Sequence, residues 1–254
     1  MPFLWRDGVR LFYEVYGAAD GRTPVLLTHG YSASSQMWQP NLPALAAGRS
    51  LITWDIRGHG RSDSPEDPAL YSEELSVADM SALLDAEGVD RAVVAGLSLG
   101  GYLSLAFHLR YPERVAALML FDTGPGFRRD DARDEWNRQV ERIAAGFEAQ
   151  APDALRERPE VARAQHSSSA GLARAARGIM AQRGSHVIDS LPTIAVPTLV
   201  LVGADDKPFL AASEYMATKI SGARRVAIPD AGHAANVDQP EAFNRAVLDF
   251  LEAT

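Results

Sequence analysis

The feature that most constrains this chain is a series of short apolar runs, each stopped by a glycine, a proline or a polar residue. Residues 24–28 stop at His29-Gly30, 51–54 at Asp55, 92–95 at Gly96, 115–121 at Asp122, 198–202 at Gly203 and 225–228 at Pro229. Runs this short and this continuously apolar suit strands buried on both faces. Between them lie stretches at helical spacing: 75–87, closed by Gly88; 99–109, closed before Tyr111-Pro112; and 241–251 after Pro240. Strands alternating with helices predict an α/β fold with a mostly parallel sheet flanked by helices. Ahead of the first run, Asp7-Gly8 followed by the strand formers of 9–16 predicts a hairpin. Parallel sheets bind ligands beyond the carboxyl ends of their strands, so the residues that stop the runs are the candidates for a site.

One region breaks the alternation. Residues 124–191 hold a charged helical stretch (130–148) and an Ala/Arg-rich one (171–183), with no convincing strand. The expected organisation is an α/β core formed by 1–123 and 192–254, with 124–191 inserted as a helical cap or lid. Leu172, Ala176 and Ile179 form a helical stripe expected to serve packing. Met180 beside it, with Leu172 and Ile179, is the candidate pocket-facing edge.

Composition mainly excludes. The net charge of −8 over 254 residues argues against a nucleic-acid binder, which carries a basic stripe. With no cysteine there are no disulfides, thiolate metal sites or cysteine nucleophiles. The N-terminus lacks the pattern of a secretory signal, and no apolar run is long enough to span a bilayer. A cytoplasmic protein without membrane partner is the simpler expectation. Gly58-His59-Gly60 lacks the third glycine and the helix of a dinucleotide fingerprint, and no metal-ligand spacing occurs. No cofactor and no metal are expected.

Gly96-Leu97-Ser98-Leu99-Gly100 matches G-x-S-x-G where an expected strand turns into an expected helix, the context that gives this motif meaning. The glycines relieve crowding in a sharp turn that lifts Ser98 clear of the sheet, at the positive end of the following helix. A serine hydroxyl needs a base. Of six histidines, His233 follows the last strand, as the chain order serine, acid, histidine requires. His29 and His59 also lie in loops after strands, but ahead of Ser98. For the orienting acid, Asp205, Asp206 and Asp122 all follow strand ends, and strand order alone does not separate them. The backbone N–H groups of Leu99 and Tyr31 are the expected oxyanion-hole donors, each worth on the order of 3 kcal/mol of transition-state stabilisation.

These segments resemble the α/β-hydrolase superfamily over nearly the whole chain. The matching stretches are Leu27-Thr28-His29-Gly30-Tyr31, Asp55-Ile56-Arg57-Gly58-His59-Gly60-Arg61-Ser62, Gly96-Leu97-Ser98-Leu99-Gly100-Gly101, Leu201-Val202-Gly203-Ala204-Asp205-Asp206 and Gly232-His233. Small bacterial esterases and 3-oxoadipate enol-lactonase-like hydrolases are the most similar members. The resemblance places the acid three residues after the glycine that ends its strand, at Asp206. Relatives with the acid after the preceding strand keep Asp122 as a rival. It implies a serine hydrolase that cleaves a carboxylic ester or lactone through an acyl-enzyme on Ser98, with Asp206 and His233 completing the triad. Two alternatives stay open: carbon–carbon hydrolysis, which Ala234 after the base disfavours, and a ligand receptor or signalling protein that keeps the triad. Trp38, Phe127, Phe209 and Ala234 are candidate pocket residues. The expected partner is a small-molecule ester or lactone; oligomeric state is not legible.

Overall fold

A computed structural model describes residues 3–18, 20–149 and 158–254. Met1, Pro2 and the part of the expected insertion at 150–157 lie outside the described residues. Eight strands form one sheet: β1 (Phe3–Arg6), β2 (Val9–Tyr16), β3 (Val25–Thr28), β4 (Leu51–Trp54), β5 (Ala92–Leu97), β6 (Val115–Phe121), β7 (Thr198–Gly203) and β8 (Arg224–Ile228). Their order is β1-β2-β4-β3-β5-β6-β7-β8. β1 and β2 are antiparallel, as is β2 against β4; every other pair is parallel. Asp7 and Gly8 join β1 to β2 with φ of 51° and 77°, the two positive values that a twist-matched two-residue hairpin turn requires.

Side chains alternate across each strand, so one sequence feeds two cores. Leu26, Ile52, Val94, Leu118, Leu120 and Val200 face one apolar cluster; Val25, Leu27, Leu51, Val93, Met119 and Leu201 face the other. Helices α1 (Leu42–Leu45) and α9 (Pro240–Glu252) cover the second face, through Leu42, Leu45, Phe243 and Val247. Helices α2 (Glu73–Ala86) and α3 (Leu99–Arg110) cover the first, through Val77, Leu84, Leu103 and Phe107. Glu73 and Glu74 sit in the first turn of α2, where the helix dipole favours them, and the Ser72 hydroxyl caps the Leu75 N–H at 3.1 Å. Between β7 and β8 runs α7 (Lys207–Lys219), and α8 (Ala235–Asp238) precedes α9. No helix among the described residues is long and apolar enough to cross a membrane.

Between β6 and β7 the chain forms α4 (Asp130–Glu148), α5 (Ser169–Ala175), a π-helical turn (Ala176–Met180) and α6 (His186–Ser190). The helix expected over 171–183 is thus shorter than its composition suggests. After Ala175 it widens, the Ala181 N–H bonding back to the Ala176 carbonyl at 3.0 Å. Within that turn a Cβ on Gly178 would lie 2.2 Å from the Tyr71 carbonyl oxygen, so the chain passes close to Tyr71 there. Leu172, Ala176 and Ile179 are buried in the same cluster as α2 and α3, alongside Val140, Ala144 and Phe147 of α4.

β3 and α3 meet backbone to backbone. A Cβ on Gly100 would lie 2.2 Å from the Thr28 carbonyl oxygen, and one on Gly96 2.2 Å from the Gly100 carbonyl carbon. Gly100→Ala is therefore expected to cost about 3 kcal/mol, lowering the melting temperature by roughly 6–12 °C. Gly146→Ala, at an open position in α4, is the control and should gain up to about 1 kcal/mol. Equal melting temperatures for the two variants would contradict the close packing of α3 on β3.

Candidate active site

Ser98 stands between β5 and α3 with φ 54° and ψ −115°, a conformation L-residues avoid and which typically costs about 1–3 kcal/mol. It survives because its backbone is over-determined. The Ser98 N–H donates to Phe121 O at 2.9 Å, and the Ser98 carbonyl accepts from Tyr102 N–H at 3.1 Å and from the Thr123 hydroxyl at 2.6 Å. The side chain is half-buried.

The loop after β8 brings His233 to the turn after β7. His233 Nδ1 is 2.8 Å from Asp206 Oδ2, with the Asp206 carboxylate almost wholly buried and the imidazole a quarter exposed. A carboxylate only accepts, so Nδ1 carries the proton and Nε2 is left as an acceptor. Gly203 makes this junction possible: a Cβ there would lie 2.1 Å from Gly232 O. The Phe209 ring stacks on the His233 imidazole, centroids 4.8 Å apart and planes 27° apart.

Of the three aspartates that chain order left open, the structure joins Asp206 to the histidine. Asp205 is exposed, and its N–H donates to Ala231 O at 2.9 Å. Asp122 is fully buried, with Oδ1 accepting from the Gly203 N–H at 2.7 Å.

The other histidines have other partners. His29 Nε2 accepts from Ile56 N–H at 2.9 Å, so Nδ1–H donates to Gly30 O at 2.7 Å. Complete burial pushes His29 down to about 4, against the pull of Asp55. The neutral ring thus ties the loop after β4 to the Gly30-Tyr31 turn. The His59 ring lies 5.1 Å from that of His29, tilted by 54°; burial and the neighbouring His29 and His166 hold it well below the usual histidine range. His166 bridges segments, accepting from Gly60 N–H at 3.0 Å and donating to Ser32 O at 2.9 Å. His108 is buried in α3, and His186 contacts Glu73 at the start of α2.

The candidate pocket residues divide. Phe209 touches the histidine. Phe127 is 37% exposed, its ring 6.0 Å from Trp136. Ala234 is buried beside His233. Trp38 is a correction: it is fully buried against Phe121 and Phe243, at 6.1 and 6.4 Å, on the far face of the sheet. It ends the short 3-10 turn Ser35–Trp38 and shares a cluster with Leu42, Leu45 and Phe243. Tyr31 packs against His59 and Phe147, and its hydroxyl donates to Leu172 O at 2.9 Å. Sequence reasoning passed over Thr123 and the His29 tether. The Asp122-Thr123 pair at a strand end was a signal for the first; nothing local marks the second.

A doubly covered, mostly parallel sheet with a strained serine at the turn after β5 and an aspartate–histidine pair beyond β7 and β8 is hydrolase architecture. The alpha/beta hydrolase family model matches residues 25–246, and this chain belongs to that family. It is 35% identical over 262 residues to a putative carbamate hydrolase RutD of Variovorax paradoxus, covering 95% of this chain and 96% of the other. A thermophilic esterase from Thermogutta terrifontis superposes with a TM-score of 0.81 at 31% identity, covering 99% of this chain and 97% of that one. The enol-lactonase from Burkholderia xenovorans LB400 superposes with a TM-score of 0.79 at 27% identity, covering 99% and 100%. Esterase, enol-lactonase and carbamate hydrolase relatives together support hydrolase activity.

The His29 tether carries a pH signature. In the unfolded chain an imidazole takes a proton near pH 6.5, while in the fold His29 resists until about 4. Its contribution to stability is complete above 6.5 and is lost as pH falls toward 4, on the order of 3 kcal/mol in all. In urea titrations, the stability advantage of the native protein over His29→Gln should shrink steadily from pH 7 to pH 4.5. An advantage that stays constant would mean that the ring is not held neutral.

Proposed function

We propose that this chain is a serine hydrolase that cleaves a carboxylic ester or lactone through an acyl-enzyme on Ser98. The observation that carries this reading is the 2.8 Å Asp206–His233 contact at the sheet edge where Ser98 leaves β5 in a strained turn. In the proposed reaction His233 Nε2 takes the Ser98 Oγ proton as Oγ bonds to the substrate carbonyl carbon. Asp206 fixes the tautomer and stabilises the imidazolium. The N–H groups of Tyr31 and Leu99 receive the developing oxyanion. Collapse expels the alkoxide, which takes the proton from His233. Water, deprotonated by the same imidazole, then attacks the acyl carbon and releases Ser98. One relative is named a putative carbamate hydrolase; a carbamate carbonyl is open to the same attack by a serine hydroxyl, so carbamates belong in the substrate series beside esters and lactones.

We read 124–191 as the cap of this site. Two contacts support that reading: Tyr31 Oη donates to Leu172 O, and His166 bridges Gly60 and Ser32. They tie 166–172 to the loop that carries Tyr31. A cap held there shapes the acyl pocket and excludes water without supplying a triad member.

Ser98→Ala should lower turnover of activated esters by about 10⁴–10⁶-fold with the fold intact, and Asp206→Asn should cut kcat deeply while Asp205→Asn does not. Residual activity of Ser98→Ala above a tenth of native, or native protein that refuses a serine-directed phosphonate, would sink the assignment. Phe127→Ala should reorder kcat/KM across acyl chain lengths and leave labelling by a small phosphonate nearly unchanged. A uniform loss across the series together with a lower melting temperature would show that Phe127 serves packing alone.

A further inference from the structure

β6 lies between β5 and β7 in the sheet. The residues that follow it, Asp122 and Thr123, therefore emerge between the turn that carries Ser98 and the turn that carries Asp206. Each reaches to one side.

Toward β5, the Thr123 hydroxyl donates to the Ser98 carbonyl at 2.6 Å. The Thr123 side chain also fills the space beside Gly101, where a Cβ would lie 2.5 Å from it. Together with the Phe121 carbonyl, which accepts from the Ser98 N–H, it grips the peptide units on both sides of the serine. Toward β7, the Asp122 N–H donates to Leu201 O at 2.9 Å and Asp122 Oδ1 accepts from Gly203 N–H at 2.7 Å. Gly203 begins the turn to Asp206 and abuts Gly232, the neighbour of His233. To do this Asp122 adopts φ 45°, a left-handed conformation, and both residues are buried.

We propose that Asp122 and Thr123 form a joint of positioning residues, Thr123 holding the backbone of Ser98 and Asp122 holding the turn that carries Asp206. The proposal rests on the assignment of Ser98, Asp206 and His233 made above. It differs from the idea of Asp122 as orienting acid, because the joint needs an acceptor for the Gly203 N–H and not a negative charge. Burial and the neighbouring Asp206 hold the Asp122 carboxyl well above the usual carboxylate range. The backbone N–H groups of Gly203 and Ala235 pull the other way. An asparagine keeps a carbonyl oxygen where Asp122 Oδ1 accepts from the Gly203 N–H.

The test compares Thr123→Val, Thr123→Ser, Asp122→Ala and Asp122→Asn with the native protein, at a temperature well below every melting transition. The measurements are kcat and KM for an activated ester, the rate of Ser98 labelling by a small phosphonate, and the low-field proton resonance of His233 Nδ1–H. A misplaced nucleophile or base costs roughly 10- to 100-fold in rate, so Thr123→Val and Asp122→Ala should lose that much kcat with little change in KM. Thr123→Ser and Asp122→Asn, which keep the donor and the acceptor, should recover most of it. Labelling should slow in Thr123→Val, whereas the Nδ1–H resonance should move in Asp122→Ala and stay in place in Thr123→Val. Native kcat in Thr123→Val and Asp122→Ala, with only a lower melting temperature, would reduce the joint to a buttress. An Asp122→Asn variant as damaged as Asp122→Ala would show that the charge matters, and would overturn the proposal. If Asp122→Ala does not fold, the isosteric Thr123→Val with its Thr123→Ser rescue decides the Thr123 side, and Asp122→Asn decides the other, since near-native kcat with an unmoved Nδ1–H resonance is expected and a deep loss would overturn it. Failure of the catalytic assignment shows separately, as turnover retained by Ser98→Ala, and the resonance of His233 still reads the Asp122 contact in that event.

Discussion

The site depends on a steric concession in the middle of the sheet. A residue can turn sharply out of β5 into α3 only if the strand, the helix and the neighbouring strand approach closer than side chains allow. Gly96 faces Gly100, and Gly100 faces the carbonyl of Thr28, all at distances a Cβ would forbid. Those two glycines let α3 start directly over the end of β3, and Ser98 absorbs the remaining strain in a positive φ. Everything that steadies this turn is then hydrogen bonding from outside the motif: Phe121 and Thr123 on one side and Tyr102 on the other. A strained residue persists only where its surroundings over-determine it, and here β6 supplies most of that determination.

Much of this was legible in the chain, because the signals were local. Continuous apolar runs gave the parallel strands, Asp7-Gly8 the hairpin, and the glycines around Ser98 the turn. The limits are equally specific. The helix expected over 171–183 gives way after Ala175 to a widened turn in which Gly178 abuts Tyr71, more than a hundred residues earlier, a contact no local pattern records. Trp38, a candidate for the pocket, packs with Phe121 and Phe243 in the cluster on the α1 and α9 face. Chain order left three aspartates level; the resemblance favoured Asp206, and the bond to His233 is a tertiary fact. Local pattern records which strand end a residue occupies, not which neighbour it meets.

Burial sorts the histidines for the same reason. His29, His59 and His233 all lie beyond strand ends, and composition treats them alike. His29 has both nitrogens taken by backbone groups and no exposure to water, so a proton there would cost both a hydrogen bond and the desolvation of a charge. His233 keeps one nitrogen on a buried carboxylate and remains partly open to solvent. An exchangeable base needs both conditions: a partner that accepts the new charge, and a free face where a proton arrives.

The segment between β6 and β7 is bound to the rest of the molecule more firmly than a detachable lid would be. Val140, Ala144, Phe147, Leu172 and Ile179 share one apolar cluster with α2 and α3. Lifting them would expose several large side chains at about 1.5–3 kcal/mol each, more than substrate binding ordinarily supplies to an opening motion. The contacts at the site side are of a different kind: Tyr31 to the Leu172 carbonyl, and His166 between Gly60 and Ser32, are single polar bonds of modest net worth. The contact between 124–127 and 181–183 is of the same kind: the Phe127 N–H donates to Gln182 Oε1, and a Cβ on Gly126 would lie 2.7 Å from that oxygen. There Phe127 is also partly exposed. The apolar cluster keeps Val140, Ala144, Phe147, Leu172 and Ile179 in place, whereas this polar seam beside α7 and the Phe209 ring stacked on His233 lie outside it.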